Sequence, residues 1–173
     1  MTFENKLKQV SDKIMNMAKE HVVDKRFHPI MLLVTEEVDG NACFYFVENT
    51  MEMLRAELGR PEMHKAIGTI WEDIRDTQGA KELLAVIFVG EAFLSTNQPP
   101  DRVAVSRSEQ TPDMREALVM VVCTSDNTTM QHFEFMRTEH GIVFMEDEEP
   151  IDIDKEHGPY SDFYPPNARK QNQ

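Results

Sequence analysis

Cysteine is nearly missing from this chain, with two in 173 residues. Cys43 and Cys123 lie far apart, each inside an apolar stretch, so no disulfide framework or CxxC pair can be drawn. A reducing, cytoplasmic setting is the expectation. Basic charge is scarce as well: 18 Lys and Arg stand against 31 Asp and Glu, a formal net charge of -13. Such a field repels phosphate backbones and anionic lipid, so neither nucleic acid nor a membrane is expected as a partner. The seven glycines are scattered, and none form GxGxxG or GxxxxGK[ST], which excludes nucleotide binding by those routes. HExxH, GxSxG and an EF-hand loop are absent too. The longest apolar runs, Leu83 to Val89 and Ala117 to Cys123, are too short to cross a bilayer as helices. The stretch from Met1 mixes acids and lysines without an apolar h-region, so no signal peptide is expected.

Apolar material is nonetheless plentiful. Hydrophobic residues make up 40% of the chain and aromatics 8%, enough for the core of one domain of this length. Phe3, Leu7, Val10, Ile14 and Met17 recur at helical spacing behind Thr2, a suitable N-cap. His28-Pro29 ends that helix, because proline pushes the residue before it out of the α region. Ile30 to Thr35 and Ala42 to Val47 then read as a hairpin turning at Asp39-Gly40. A second helical pattern starts at Thr50, is interrupted at Gly59-Arg60-Pro61, and resumes with Met63, Ile67, Ile70, Trp71 and Ile74 until Gly79. One kinked helix and two helices are both compatible with it. Strands are predicted at Leu83 to Val89, Ala117 to Thr124, Met130 to Arg137 and Ile142 to Met145. The order αββααββββ implies an α+β fold, a mostly antiparallel sheet of five to six strands packed with helices, over residues 1–145. After Met145 the chain turns acidic and then Pro- and Asn-rich, so 146–173 is expected to be a flexible tail.

The site with most promise is the long connection of residues 90–115, which holds three prolines and no periodicity. Glu91 follows one apolar strand, and Arg115 and Glu116 open the next. Antiparallel pairing would bring all three to one end of the sheet, where Arg102 and Arg107 add positive charge. Glu91, Arg107, Arg115 and Glu116 are therefore the candidate residues for a small polar or anionic ligand under a lid, against the plainer reading of a Glu91–Arg115 ion pair anchoring the loop. Other groups carry less. His132 and Glu134 share a strand face and could begin a metal site, with His140 near, but they read better as a half-exposed outer row. His28 and His64 read as structural or solvated. Cys43 and Cys123 read as small hydrophobes, since nothing nearby would activate a thiol. Glu72 and Asp76 share a helix face that is otherwise charged and solvated. Neither metal nor cofactor is predicted.

His28-Pro29 before a strand, Asp39-Gly40, Glu91-Ala92-Phe93 after a strand and Arg115-Glu116-Ala117-Leu118 opening the next resemble features of a scattered set of small bacterial and phage proteins without known activity. The resemblance spans roughly residues 28–145; it supports the element order and transfers no site. Both parities of the central strands are apolar, so two helices on one face would leave the other bare and invite a second copy, most simply as a homodimer. The functional expectation is a non-enzymatic accessory or binding protein that self-associates. The alternative is a small-ligand enzyme or hydrolase working at the 90–115 end of the sheet.

Overall fold

Strands that are apolar on both sides need cover on both, and the chain provides a long helix for each. The computed structural model describes residues 2–22, 27–95, 114–146, 148–154 and 162–169. Its elements run α1 (Phe3–His21), β1 (Ile30–Glu36), β2 (Ala42–Phe46), α2 (Thr50–Arg55), α3 (Arg60–Gln78), β3 (Glu82–Ser95), β4 (Met114–Cys123), β5 (Thr128–Thr138), β6 (Gly141–Phe144), β7 (Ile151–Ile153) and a 3₁₀ turn at Pro166–Ala168. The α+β class and the antiparallel sheet stand as read from the sequence. The strands order β2-β1-β3-β4-β5-β6, all antiparallel. The seventh, β7, pairs with the first residues of β5, while β6 takes its last ones.

Local chemistry accounts for the boundaries. The Thr2 hydroxyl accepts the Asn5 N–H at 3.3 Å and caps α1,. In the β1–β2 turn the Asp39 carboxylate accepts the Asn41 N–H at 2.9 Å, and Gly40 takes φ 81°, which a side chain would resist,. The central helical region is two helices: Glu57 enters the left-handed region at φ 49° and Pro61 restarts the chain in the first turn of α3,. Gly79, at φ 72°, ends α3,.

Two cores lie on either side of the sheet. Ile14, Met15 and Ala18 of α1 pack with Leu32, Val34, Ile87, Leu118 and Phe133. Met63, Ile67 and Trp71 of α3 pack on the other face with Met31, Leu33, Val86, Val119 and Val121. Each fully buried side chain of this size contributes about 1.5–3 kcal/mol. The helices thus take opposite faces, and the premise that one face is left bare for a partner does not hold.

Three further expectations need correction. The connection after the third strand is shorter than 90–115, because β3 runs on to Ser95 and β4 starts at Met114; alternation there is masked by Gly90, Glu91, Arg115 and Glu116, which break the apolar run without breaking the ladder. A bulge opposite Val34 and Thr35 reverses the simple parity of β3, so Leu83 joins Val86 on the α3 side while Leu84 sits with Ala85 on the α1 side,. The acidic C-terminal stretch also contributes to the core. β7 is part of the sheet, and Phe163 and Tyr164 are 0% and 2% exposed against the α3-side core. The Tyr164 hydroxyl donates to the Leu83 carbonyl at 2.7 Å, beside the bulge, and burial pushes its phenol up to about 12,.

Candidate functional site

The β3–β4 ladder fixes where the predicted residues fall. Glu91 pairs with Leu118 and Leu94 with Arg115, so Glu91 and Arg115 have opposite parity and point to opposite faces. The expected Glu91–Arg115 ion pair is therefore not formed. Arg115 instead reaches Glu134 on β5 at 3.0 Å, with half of its side chain exposed. Arg102 and Arg107 lie outside the described residues.

What the fold does bring together on the α1 face is Glu91 and Glu116, bridged by Arg137. The guanidinium reaches Glu91 Oε1 at 3.4 Å through Nη2 and Glu116 Oε2 at 3.0 Å through Nε. It also lies 5.4 Å from the centre of the Phe135 ring,. The second Glu91 oxygen accepts the backbone N–H of Phe27 at 3.0 Å. The Glu91 side chain is 8% exposed, so both its oxygens are engaged within the protein and little of it meets solvent. This cluster joins β3, β4, β5 and the chain preceding β1. Its chemistry is that of a clamp: among the described residues, two carboxylates share the Arg137 guanidinium. Arg137 escaped the sequence reading because the β4–β5 turn, read as Ser125 to Thr129, is four residues long, Thr124 to Asn127; the correct register sets Glu116 opposite Phe135, diagonal to Arg137.

The remaining candidates are accounted for individually. His132 is buried, not half-exposed; burial lowers its pKa from 6.5, and its Nδ1 lies 3.9 Å from Glu148. Its Nε2 has no hydrogen-bond partner. Met136, two pairs further along the same row, is exposed, so the row passes from core to solvent. His64 contacts the Asp162 carbonyl at 2.9 Å, and Glu72 accepts from Asn167 at 2.9 Å; both hold the C-terminal segment on α3. Cys123 is buried and accepts the Phe163 N–H at 3.4 Å. Burial, then Glu37 and Asp39, push the Cys43 thiol up, away from a reactive thiolate,. Among the described residues no three His, Cys, Asp or Glu side chains are grouped to hold a metal, and no helix is long and apolar enough to cross a membrane.

A large concave surface lies elsewhere, under the first half of α1. Lys6 donates to the Gly40 carbonyl at 2.6 Å and pairs with Glu36 at 3.7 Å, tying this end of the helix toward the β1–β2 hairpin. Lys19, further on, lies over the rings of Phe133 and Phe144, on β5 and β6. The helix thus crosses the sheet obliquely. A groove of about 860 Å³ opens between its N-terminal half and the β4–β5 turn. Phe3, Leu7, Met120 and Val122 provide its apolar surface, and Phe3 is 45% exposed there. Glu4, Asp12, Asp126, Glu148 and Glu149 stand around it, with Lys8 the single basic residue among the described lining. Nothing in the sequence pattern marks this groove, since it depends on how α1 crosses strands more than a hundred residues away.

No protein-family model matches the chain, and no curated protein or solved structure matches it.

Proposed function

We propose that this protein is a non-enzymatic accessory protein that acts by binding, with the groove under α1 as its working surface. The observation that carries this reading is the groove itself: Phe3 is nearly half exposed and Leu7 partly so beside the buried Met120 and Val122, and carboxylates ring it. Leaving Phe3 nearly half exposed costs hydrophobic free energy that a partner would recover,. The alternative, a ligand or catalytic site at the Glu91 end, is disfavoured by the internal use of both Glu91 oxygens. Affinity capture followed by mass spectrometry tests the binding reading. Wild-type protein should retain a partner set that the groove variant Phe3→Ser with Asp126→Lys does not; identical sets would overturn it.

Self-association is a second reading, and one observation favours it. Met136 and Val143 are paired neighbours on β5 and β6, and both are about half exposed, with Met145 beside them. They lie at the β6 edge of the sheet, where a second copy could add through strand pairing. Light scattering at micromolar concentration should then give twice the 20.0 kDa chain mass, and Val143→Lys should restore the single mass. A monomer at every concentration ends this reading.

A further inference from the structure

We infer that the occupant of the α1 groove is a cationic amphipathic segment of a partner protein, one apolar face flanked by Lys or Arg. This rests on the binding reading and specifies what is bound. Three properties of the groove select that chemistry. Its accessible apolar surface is the half-exposed Phe3 and the partly exposed Leu7 on the helix, beside the buried Met120 and Val122 of the sheet, so it suits an apolar row laid along the helix. Among the described residues five carboxylates against one ammonium line the same space, so an inserted segment carrying acids would be repelled and one carrying bases attracted. The whole molecule carries -13, which extends the same selection to the approach of the partner and disfavours a second copy of this chain in the groove.

The acids are also arranged to flank the apolar surface on separate sides. Glu4 and Asp12 project from α1, Asp126 from the β4–β5 turn, and Glu148 and Glu149 from the chain leading into β7. Gln131 fixes that last stretch by donating to the Glu148 carbonyl at 2.7 Å, and Lys6 fixes the helix end. The groove is therefore largely formed before anything enters, which lowers the ordering cost of binding.

Model peptides test the inference directly. The probe is a capped Leu/Lys peptide of about 14 residues with helical periodicity, long enough to form a marginal helix. A Ser/Lys peptide of equal charge and a Leu/Glu peptide of equal apolarity serve as controls. Binding is measured by fluorescence anisotropy at about 0.15 M salt and located by amide shifts of the labelled full-length chain. The Leu/Lys peptide should bind with shifts confined to α1 residues 3–12 and to residues 120–131. Glu4→Lys with Asp126→Lys and Glu148→Lys should weaken it by about tenfold or more, and Phe3→Ser by several-fold. All four positions are exposed, and an unchanged melting curve checks that each variant is folded. Equal binding of the Ser/Lys or Leu/Glu peptide, or shifts elsewhere on the protein, would overturn the inference. Groove shifts that grow with protein concentration alone would assign the groove to a second copy and overturn it too. If groove-dependent capture of partners persists while the Leu/Lys peptide fails, the cationic class is wrong and the binding reading stands; if both fail, both are wrong.

Discussion

Arg137 holds together a cluster that would otherwise be two adjacent carboxylates. Its replacement by Met leaves Glu91 buried with only the Phe27 N–H, and should cost about 2–3 kcal/mol. Glu91→Gln alone should cost less, and the double variant less than the sum, because the repulsion disappears with the charge. Chemical denaturation of the four species measures the coupling; additivity would show that the contact carries no energy. By contrast, Arg115 and Glu134 should couple by no more than about 1 kcal/mol, since Arg115 is half exposed,. His132 supplies a pH signature. Burial holds its folded-state pKa below 6.5, so the unfolded chain takes up the proton more readily. Stability is therefore full above about pH 6.5 and falls as pH drops below it, by up to about 1.4 kcal/mol per pH unit. His132→Gln should flatten the slope in that window, and an unchanged slope would assign the loss to other groups.

At the level of elements, the C-terminal segment is where sequence and structure part most clearly. Ile151 and Ile153 form too short a run to mark a strand, and Phe163-Tyr164 stand isolated behind acids, proline and glycine, so no sustained period marks this segment,. The burial of Phe163 and Tyr164 comes from the α3-side core, which exists only once the rest has folded. The long strands and both major helices were legible because period and caps agree locally, as at Thr2, Asp39-Gly40 and Gly79. Parity in β3 was not, because a bulge has no sequence mark beyond its partner strand. The candidate site was half legible: Glu91 and Glu116 do meet, but the base between them is Arg137 rather than Arg115. Phe163→Ala should cost about 3–5 kcal/mol, and truncation after Glu146 should lower the melting temperature by about 10 °C or more. A truncated chain that melts within a few degrees of the full one would mean that these contacts add little.

For the whole molecule the dominant fact is charge. A formal -13 on one chain repels itself in the folded state more than in an expanded one. Raising salt from about 0.01 M to about 0.1 M shortens the screening length from about 30 Å to about 10 Å. The melting temperature should rise by a few degrees over that range, as the same salt weakens the Leu/Lys peptide. A melting temperature that falls would mean that favourable ion pairs outweigh the net repulsion.

Phe163 and Tyr164 cover the α3-side core from a position that follows every strand of the sheet in sequence. Synthesis runs from the N-terminus at about 5–20 residues per second, so Met31, Leu33, Ile67 and Trp71 emerge well before the residues that cover them. The anchor for Tyr164, the Leu83 carbonyl, likewise waits for half the chain to be made. The α3-side core is therefore closed only after Phe163 and Tyr164 have been made. A chain that stalls before residue 163 leaves the α3-side core uncovered beside Ile67 and Trp71, the kind of exposed apolar surface that makes partly made chains prone to aggregate.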